Sequence, residues 1–192
     1  MARLENTREQ IMEKAAELLM QRGFNGFSYR DISTPLGVKN AAIHYHFPSK
    51  TDLALALVDE YQHTLRSRTS EFMAYGGKAA DQMNGLFCFT ESQFSMGRCI
   101  CPFGAFSVDY DELPQEVKDA TERFLVDSRK WLTRVLEVGR DQGEFSFRGD
   151  PGQVAVSVLA ALQGARQMAR IQGKQVLNGV MDQIRVDIGM RS

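Results

Sequence analysis

Residues Phe27 to Phe47 constrain this chain more than any other stretch. Ser28, with Asp31 three residues on, makes a capping box that opens a short helix. Tyr29 to Thr34 supplies about two turns, anchored by Ile32. Pro35 disfavours helical geometry at Thr34, so this helix is expected to stop there. Gly37 takes the left-handed conformation that reverses a chain at a helix C-terminus. A second helix then runs from about Lys39 to Tyr45. Helix, Gly-containing turn, helix is the arrangement that seats a second helix in the DNA major groove.

The remainder of the chain also reads as helical. Thr7 and Gln10 form a capping box for a first helix that closes at Arg22-Gly23. Ile11, Leu18, Phe24, Phe27, Ile32, Leu36, Val38 and Ile43 are enough apolar side chains for a small shared core. A third box, Ser49 with Asp52, starts a long helix to about Tyr75, with Leu53, Leu57, Tyr61, Leu65 and Phe72 along one stripe. Further helices are expected at about 79–96, 103–110, 113–140, 151–172 and 174–188, the fourth of these opened by Asp150-Pro151. No alternating strand pattern exceeds five residues. The expectation is an all-α chain of about nine helices. Residues 1–48 form a DNA-binding domain, and residues 49–192 a ligand-binding and dimerisation bundle.

Charge limits how such a protein holds DNA. The net charge is −1 over 192 residues. Residues 1–50 carry seven Lys/Arg against five Asp/Glu. Nucleic-acid contact must therefore come from a few placed side chains, summed over two copies, and not from a whole-chain field. No apolar run approaches the roughly 20 residues of a membrane span. Met1 to Asn6 lacks the apolar core of a signal peptide, and three cysteines are an odd number, which together point to reduced thiols in a cytoplasmic protein.

The details of the opening stretch are family-like. Leu36-Gly37-Val38, then Ala42-Ile43-His44-Tyr45-His46-Phe47 and Ser49-Lys50, resemble the TetR family of one-component repressors. Arg22-Gly23-Phe24 and Asp31-Ile32 stand where that family has them, so the resemblance covers about residues 7–58. Two departures are Pro35, where a small helix former is usual, and Lys39, where Ser or Thr usually caps the second helix.

Site residues follow from what DNA offers. The resemblance implies that Ser28, Tyr29, Tyr45, His46 and Lys50 contact the phosphate backbone. Lys39, Asn40, Ala41 and His44 lie on the exposed face of the second helix and suit base edges: Lys donates to guanine, Asn pairs with adenine, and Ala touches a thymine methyl. Ala42, Ile43 and Phe47 point to the core. One such helix reads only a few base pairs, so a double-stranded operator with two half-sites and a homodimer are expected. The last two helices, about 151–190, carry small apolar residues at helical spacing: Val154, Val158, Ala161, Leu162, Ala165 and Ala169, then Val176, Val180, Met181 and Ile184. They are read as the dimer interface, against the alternative that the stripe packs on its own domain.

The middle of the chain leaves two readings open, an aromatic core or a ligand pocket. Phe87, Phe94, Phe103, Phe106, Trp131 and Met168, with Cys101, Gln163, Arg166 and Gln167, are the candidate lining of an apolar site. The resemblance implies a small-molecule inducer. The run Cys101-Pro102-Phe103-Gly104-Ala105-Phe106-Ser107, followed by Leu113-Pro114, resembles a subfamily that includes the N-ethylmaleimide-reductase repressor, an electrophile sensor. This makes thiol sensing by Cys99 or Cys101 the alternative to a small apolar ligand, although Val108 to Asp111 holds no cysteine where that subfamily is expected to have one. No metal or other cofactor is expected: His44 and His46 diverge on a helix, and Cys88, Cys99 and Cys101 lack convincing partner ligands. The chain shows no nucleophile motif and no phosphate loop, so it is not read as an enzyme. A helical protein-binding adaptor is the remote rival.

Overall fold

The computed structural model describes residues 2–74, 77–97, 100 and 102–190, and among these residues it is all helix, with no strand. Nine α-helices follow in order: α1 (Ala2–Arg22), α2 (Tyr29–Leu36), α3 (Asn40–His46), α4 (Lys50–Ala74), α5 (Ala79–Ser95), α6 (Pro102–Val108), α7 (Gln115–Asp141), α8 (Pro151–Gln172) and α9 (Lys174–Asp187). A short 3-10 turn at Tyr110–Glu112 joins α6 to α7. No described helix is long and apolar enough to cross a membrane.

The chain divides into two units. The first comprises Met1–His63 and Cys101–Phe124, the second Thr64–Ile100 and Leu125–Ser192. The first unit thus contains the three N-terminal helices and adds the start of α4, all of α6 and the start of α7.

In the first unit, α1, α2 and α3 close around Ile11, Leu18, Phe24, Phe27, Ile32, Ile43 and Phe47, all at most 7% exposed. Leu36 and Val38 are only half-buried, because they flank the Gly37 turn at the surface. Two helix boundaries differ from expectation. α1 runs back through Thr7 to Ala2, because Ala2 to Glu5 are good helix formers and need no cap at Thr7. α2 continues through Pro35 to Leu36. Pro35 sits in the last turn, where it removes one N–H donor but leaves the end closable: Gly37 and Val38 donate to the carbonyls of Thr34 and Ser33 at 3.2 and 3.1 Å.

The long helix α4 opens on the expected box. The Asp52 carboxylate accepts from the Ser49 backbone N–H (2.8 Å) and hydroxyl (2.6 Å), and Asp52 N–H returns a bond to Ser49 Oγ at 3.1 Å. Leu53 and Leu57 are buried at 1% and 3% exposure, while the Leu65 and Phe72 side chains of the expected stripe lie outside the described residues.

The second unit is organised on the α8–α9 hairpin. Ala155, Val158, Leu162, Ala165 and Ala169 of α8 and Leu177, Met181 and Ile184 of α9 join Phe87, Leu132 and Leu136 in one core cluster. Asp150 caps α8 by accepting from Gln153 N–H at 2.9 Å, with Pro151 in the first turn.

That packing corrects part of the expected dimer stripe. Val158, Leu162, Ala165, Ala169, Met181 and Ile184 are buried within their own chain, so they are core positions. The apolar side chains left outside are one step round the helix. On α8, Val156, Ala160, Gly164, Met168 and Ile171 are exposed at four- and three-residue spacing, and on α9 Gly179 and Val186 are exposed.

Candidate nucleic-acid interface

The turn between α2 and α3 is made by Gly37, at φ +65°. A side chain there would meet no atom within 4 Å, so the left-handed conformation alone demands glycine. Lys39 follows as N-cap of α3 in an extended conformation, with no cap bond from its side chain. An ammonium only donates, so Lys39 has no means of capping the free N–H groups there. Lys39, Asn40, Ala41 and His44 are all exposed, Ile43 is fully buried, and Ala42 is half-buried. The set expected to read bases thus lies on the outer side of α3.

His44 is held at one ring nitrogen. Its Nδ1 lies 3.1 Å from the Pro48 carbonyl, which only accepts, so Nδ1 carries the hydrogen. In the neutral ring Nε2 is then an acceptor. Tyr29 fixes the other side of this ring, edge-to-face at 4.8 Å between centroids. Tyr29 is itself fixed, since its hydroxyl donates to the Phe47 carbonyl at 2.8 Å. Burial, and then the Asp52 carboxylate, push the Tyr29 hydroxyl up to about 12.

The expected phosphate contacts divide into outward and inward groups. Tyr45 is 74% exposed and leans its ring on His46 at 5.1 Å. Ser28 is exposed but directs its backbone N–H (2.9 Å) and hydroxyl (2.6 Å) to the Asp31 carboxylate. These bonds, with Arg22 beside it, hold Asp31 below the ordinary carboxylate range. Lys50 is turned inward: its ammonium donates to the Phe27 carbonyl and sits over the Phe27 and Phe24 rings at 4.3 and 4.7 Å. Burial pushes this ammonium below its ordinary value, while Asp109 and Asp31 oppose the shift. A Lys50 phosphate contact would require the side chain to leave that seat.

One further cation joins this surface. Arg8 of α1 is exposed and lies 5.4 Å over the ring of Phe47, the C-cap of α3. Its neighbourhood is created by tertiary packing between residues 39 positions apart in number, which helical periodicity does not register.

The expected ligand residues fall in both units. Phe106 is 1% exposed and packs in the first unit, 6.4 Å from Phe24. Phe87 is buried in the core of the second unit beneath the Arg185 guanidinium, at 4.5 Å. Phe94 and Trp131 are partly buried against the same core, and Trp131 donates to Gln82 at 3.1 Å. Gln163 is half-buried, while Gln167 and Met168 are exposed. Arg166 is buried and donates to the Ile100 carbonyl at 3.2 Å. Cys99 and Cys101, and the side chain of Phe103, lie outside the described residues; Cys88 is a free, exposed thiol. A groove of about 490 Å³ between α7 and α8 is lined by charged and polar groups, Arg129, Lys130, Arg134 and Glu137 among them, and shares no residue with the expected apolar site. Among the described residues no three metal-binding side chains converge.

Comparison with known proteins places this geometry. The profile of bacterial regulatory proteins of the tetR family matches residues 11–57, and that of the tetracyclin repressor-like C-terminal domain matches residues 89–182. The chain is 25% identical to the HTH-type transcriptional repressor NemR of Escherichia coli K12, over 86% of this chain and 85% of NemR. It is 23% identical to the transcriptional regulator TtgR of Pseudomonas putida, over 83% and 78% of the two chains. Among solved structures, a TetR-family regulator from Agrobacterium tumefaciens superposes with a TM-score of 0.82 at 27% identity, covering 94% of this chain and 98% of that one. The reduced form of E. coli NemR has the same fold, with a TM-score of 0.76 at 23% identity over 96% and 98%.

Proposed function

The chain belongs to the TetR family of bacterial transcriptional regulators, and from that premise we propose that it is a homodimeric repressor of a pseudo-palindromic operator, released by a small ligand. The observation that carries this reading is the outer face of α3. It offers Lys39, Asn40, Ala41 and His44 to the major groove from a helix whose other face, through Ile43, is locked in the core. Asn40 suits adenine and Lys39 suits guanine. With its Nδ1–H on the Pro48 carbonyl, the His44 imidazole turns Nε2 outward, where the neutral ring accepts from the exocyclic amine of adenine or cytosine. Tyr45, His46 and Ser28, with Arg8 as an addition, position the helix on phosphates; Tyr29 and Lys50 hold the reading helices from within. Residues 1–48 carry the DNA-reading surface, and the later helices carry regulation and dimerisation. A second copy packs on the exposed α8–α9 stripe of Val156, Gly164, Met168 and Ile171, which brings two reading helices to half-sites about 34–36 Å apart or a multiple of it.

Genome-wide footprinting with the purified protein identifies the operator. Asn40→Ala with Tyr45→Ala is expected to abolish binding to that fragment while the protein remains folded and dimeric. Undiminished binding would remove α3 as the recognition helix.

Likeness to NemR, solved in a reduced form, supports a second reading in which Cys99 or Cys101 senses an oxidant or electrophile. Treatment with hypochlorite or a quinone should then release operator from the native protein but not from Cys99→Ser or Cys101→Ser. Equal release in both variants would end that reading.

A further inference from the structure

We propose that Asp109 and Glu112, in the link between α6 and α7, are positioning residues for operator binding that act by clipping the α1–α2 corner at Asn25. The corner, Gly23 to Phe27, carries none of the DNA-facing residues named above. Yet three separate parts of the first unit meet there. The Asp109 carboxylate accepts from the Asn25 backbone N–H at 3.0 Å, and the Glu112 carboxylate accepts from the Asn25 side-chain amide at 2.8 Å. Gly23 is at φ +77°, and a methyl group added to it would stand 2.8 Å from Asp109 Oδ2. The carboxylate thus closes on backbone that glycine leaves bare. Below the same corner, Phe24 packs on Phe106 of α6, and the Lys50 ammonium that opens α4 is seated on Phe24 and Phe27. On the far side, Arg22 pairs with Asp31 of α2 at 3.2 Å.

The link is itself braced. Lys118 of α7 donates to the Asp111 carbonyl at 2.9 Å and lies 5.6 Å over the Tyr110 ring. A displacement of the start of α7 therefore carries Asp109 and Glu112 with it. Through Asn25 it reaches the junction from which α2 departs, and so the attitude of α3. The bonds bridge residues 84 and 87 positions apart in sequence, join charged acceptors to neutral donors, and use both donor groups of Asn25. α7 is one helix from Gln115 to Asp141, and the chain's first unit ends at Phe124 within it, so the link that carries the clip leads directly into a helix with residues in both units. A ligand that favours one setting of α7 biases operator affinity by its differential affinity for the two settings.

This rests on operator binding as proposed above, and the test keeps the two apart. The full-length dimer is titrated with the footprinted operator fragment and with a scrambled duplex. Asn25→Ala and Glu112→Ala are each expected to weaken operator binding about fivefold to tenfold, with scrambled-duplex binding and melting temperature unchanged. The double variant should be no weaker than either single one, because the two residues act as one unit. Glu112→Gln keeps an acceptor for Asn25 and should restore binding to within about twofold of the native protein. Asp109→Ala removes the acceptor of the Asn25 backbone N–H, gives an independent reading of the other bond and should weaken operator binding in the same way. Native operator affinity in folded Asn25→Ala, Glu112→Ala, Asp109→Ala and the double variant, or losses that add in the double variant, would overturn the clip. A native protein that selects no fragment overturns the operator reading and the clip together.

Discussion

Tyr29, to which the family resemblance gives a phosphate contact, also holds α3 from within. Its hydroxyl hydrogen is committed to the Phe47 carbonyl, and its ring braces His44. Tyr29→Phe removes one partly buried hydrogen bond and should cost about 1 kcal/mol in urea unfolding at pH 8. The pH dependence has a definite sign. The folded protein raises this hydroxyl from an ordinary 10.0 to about 12. The protonated form is therefore favoured by folding, and that stability is fully present below pH 10 and lost as pH climbs towards 12. The advantage of the native protein over Tyr29→Phe should shrink across that interval, by less than the nominal shift because the ring is only half-buried. A constant difference from pH 8 to 12 would show that the hydroxyl is not perturbed by its site.

Helix phase is the issue at the scale of elements. α8 has two apolar stripes, and only one of them is buried within the chain. The more apolar one, Val158, Leu162, Ala165 and Ala169, fills the chain's own core, while Val156, Gly164, Met168 and Ile171 remain outside. Val158→Asp places a charge in that core and should cost several kcal/mol, about 3 or more, seen as loss of helical circular dichroism at moderate temperature. Val156→Asp, two residues away, should leave helicity intact and shift sedimentation towards monomer. If both variants stayed dimeric and folded, the exposed stripe would not be the interface. The contrast explains what was legible in the sequence. Helix existence and type followed from periodicity, two capping boxes and Asp150-Pro151, and these elements formed within a few residues of expectation. What periodicity does not contain is which stripe has a partner within the chain, because the core-facing stripe and the partner-facing stripe both repeat at 3.6 residues. The same limit hid the roles of Asn25 and Lys50. Their partners lie 23 to 87 residues away, so only packing reveals that one is an anchor and the other points inward. Nor does periodicity show that the Phe106 ring packs on Phe24.

At the scale of the whole molecule, a net charge of −1 leaves specific contacts to do what a basic surface does elsewhere. Arg8, Arg30 and Lys39 are exposed cations of the reading unit, whereas the Lys50 ammonium is occupied within it. If all three neutralise one phosphate in each of two subunits, the salt slope of log affinity on log salt is about −5. Operator affinity should then fall about a thousandfold between 50 and 200 mM salt, while binding to scrambled duplex is weak throughout. Lys39→Ala removes two phosphate or guanine contacts per dimer and should lower the slope by about 2 if the contact is to phosphate. It should relax sequence preference without that change in slope if Lys39 reads guanine. Lys50→Met tests the inward seat from the other direction. With the ammonium over Phe24 and Phe27 and bonded to the Phe27 carbonyl, its removal should lower the melting temperature and leave the slope unaltered. A slope reduced by about 2 in Lys50→Met would mean that the side chain leaves its seat for the backbone when operator binds. The corner that the α6–α7 link clips would then change its electrostatic neighbour on DNA binding, since Asp109 and Asp31 face that ammonium in the free protein.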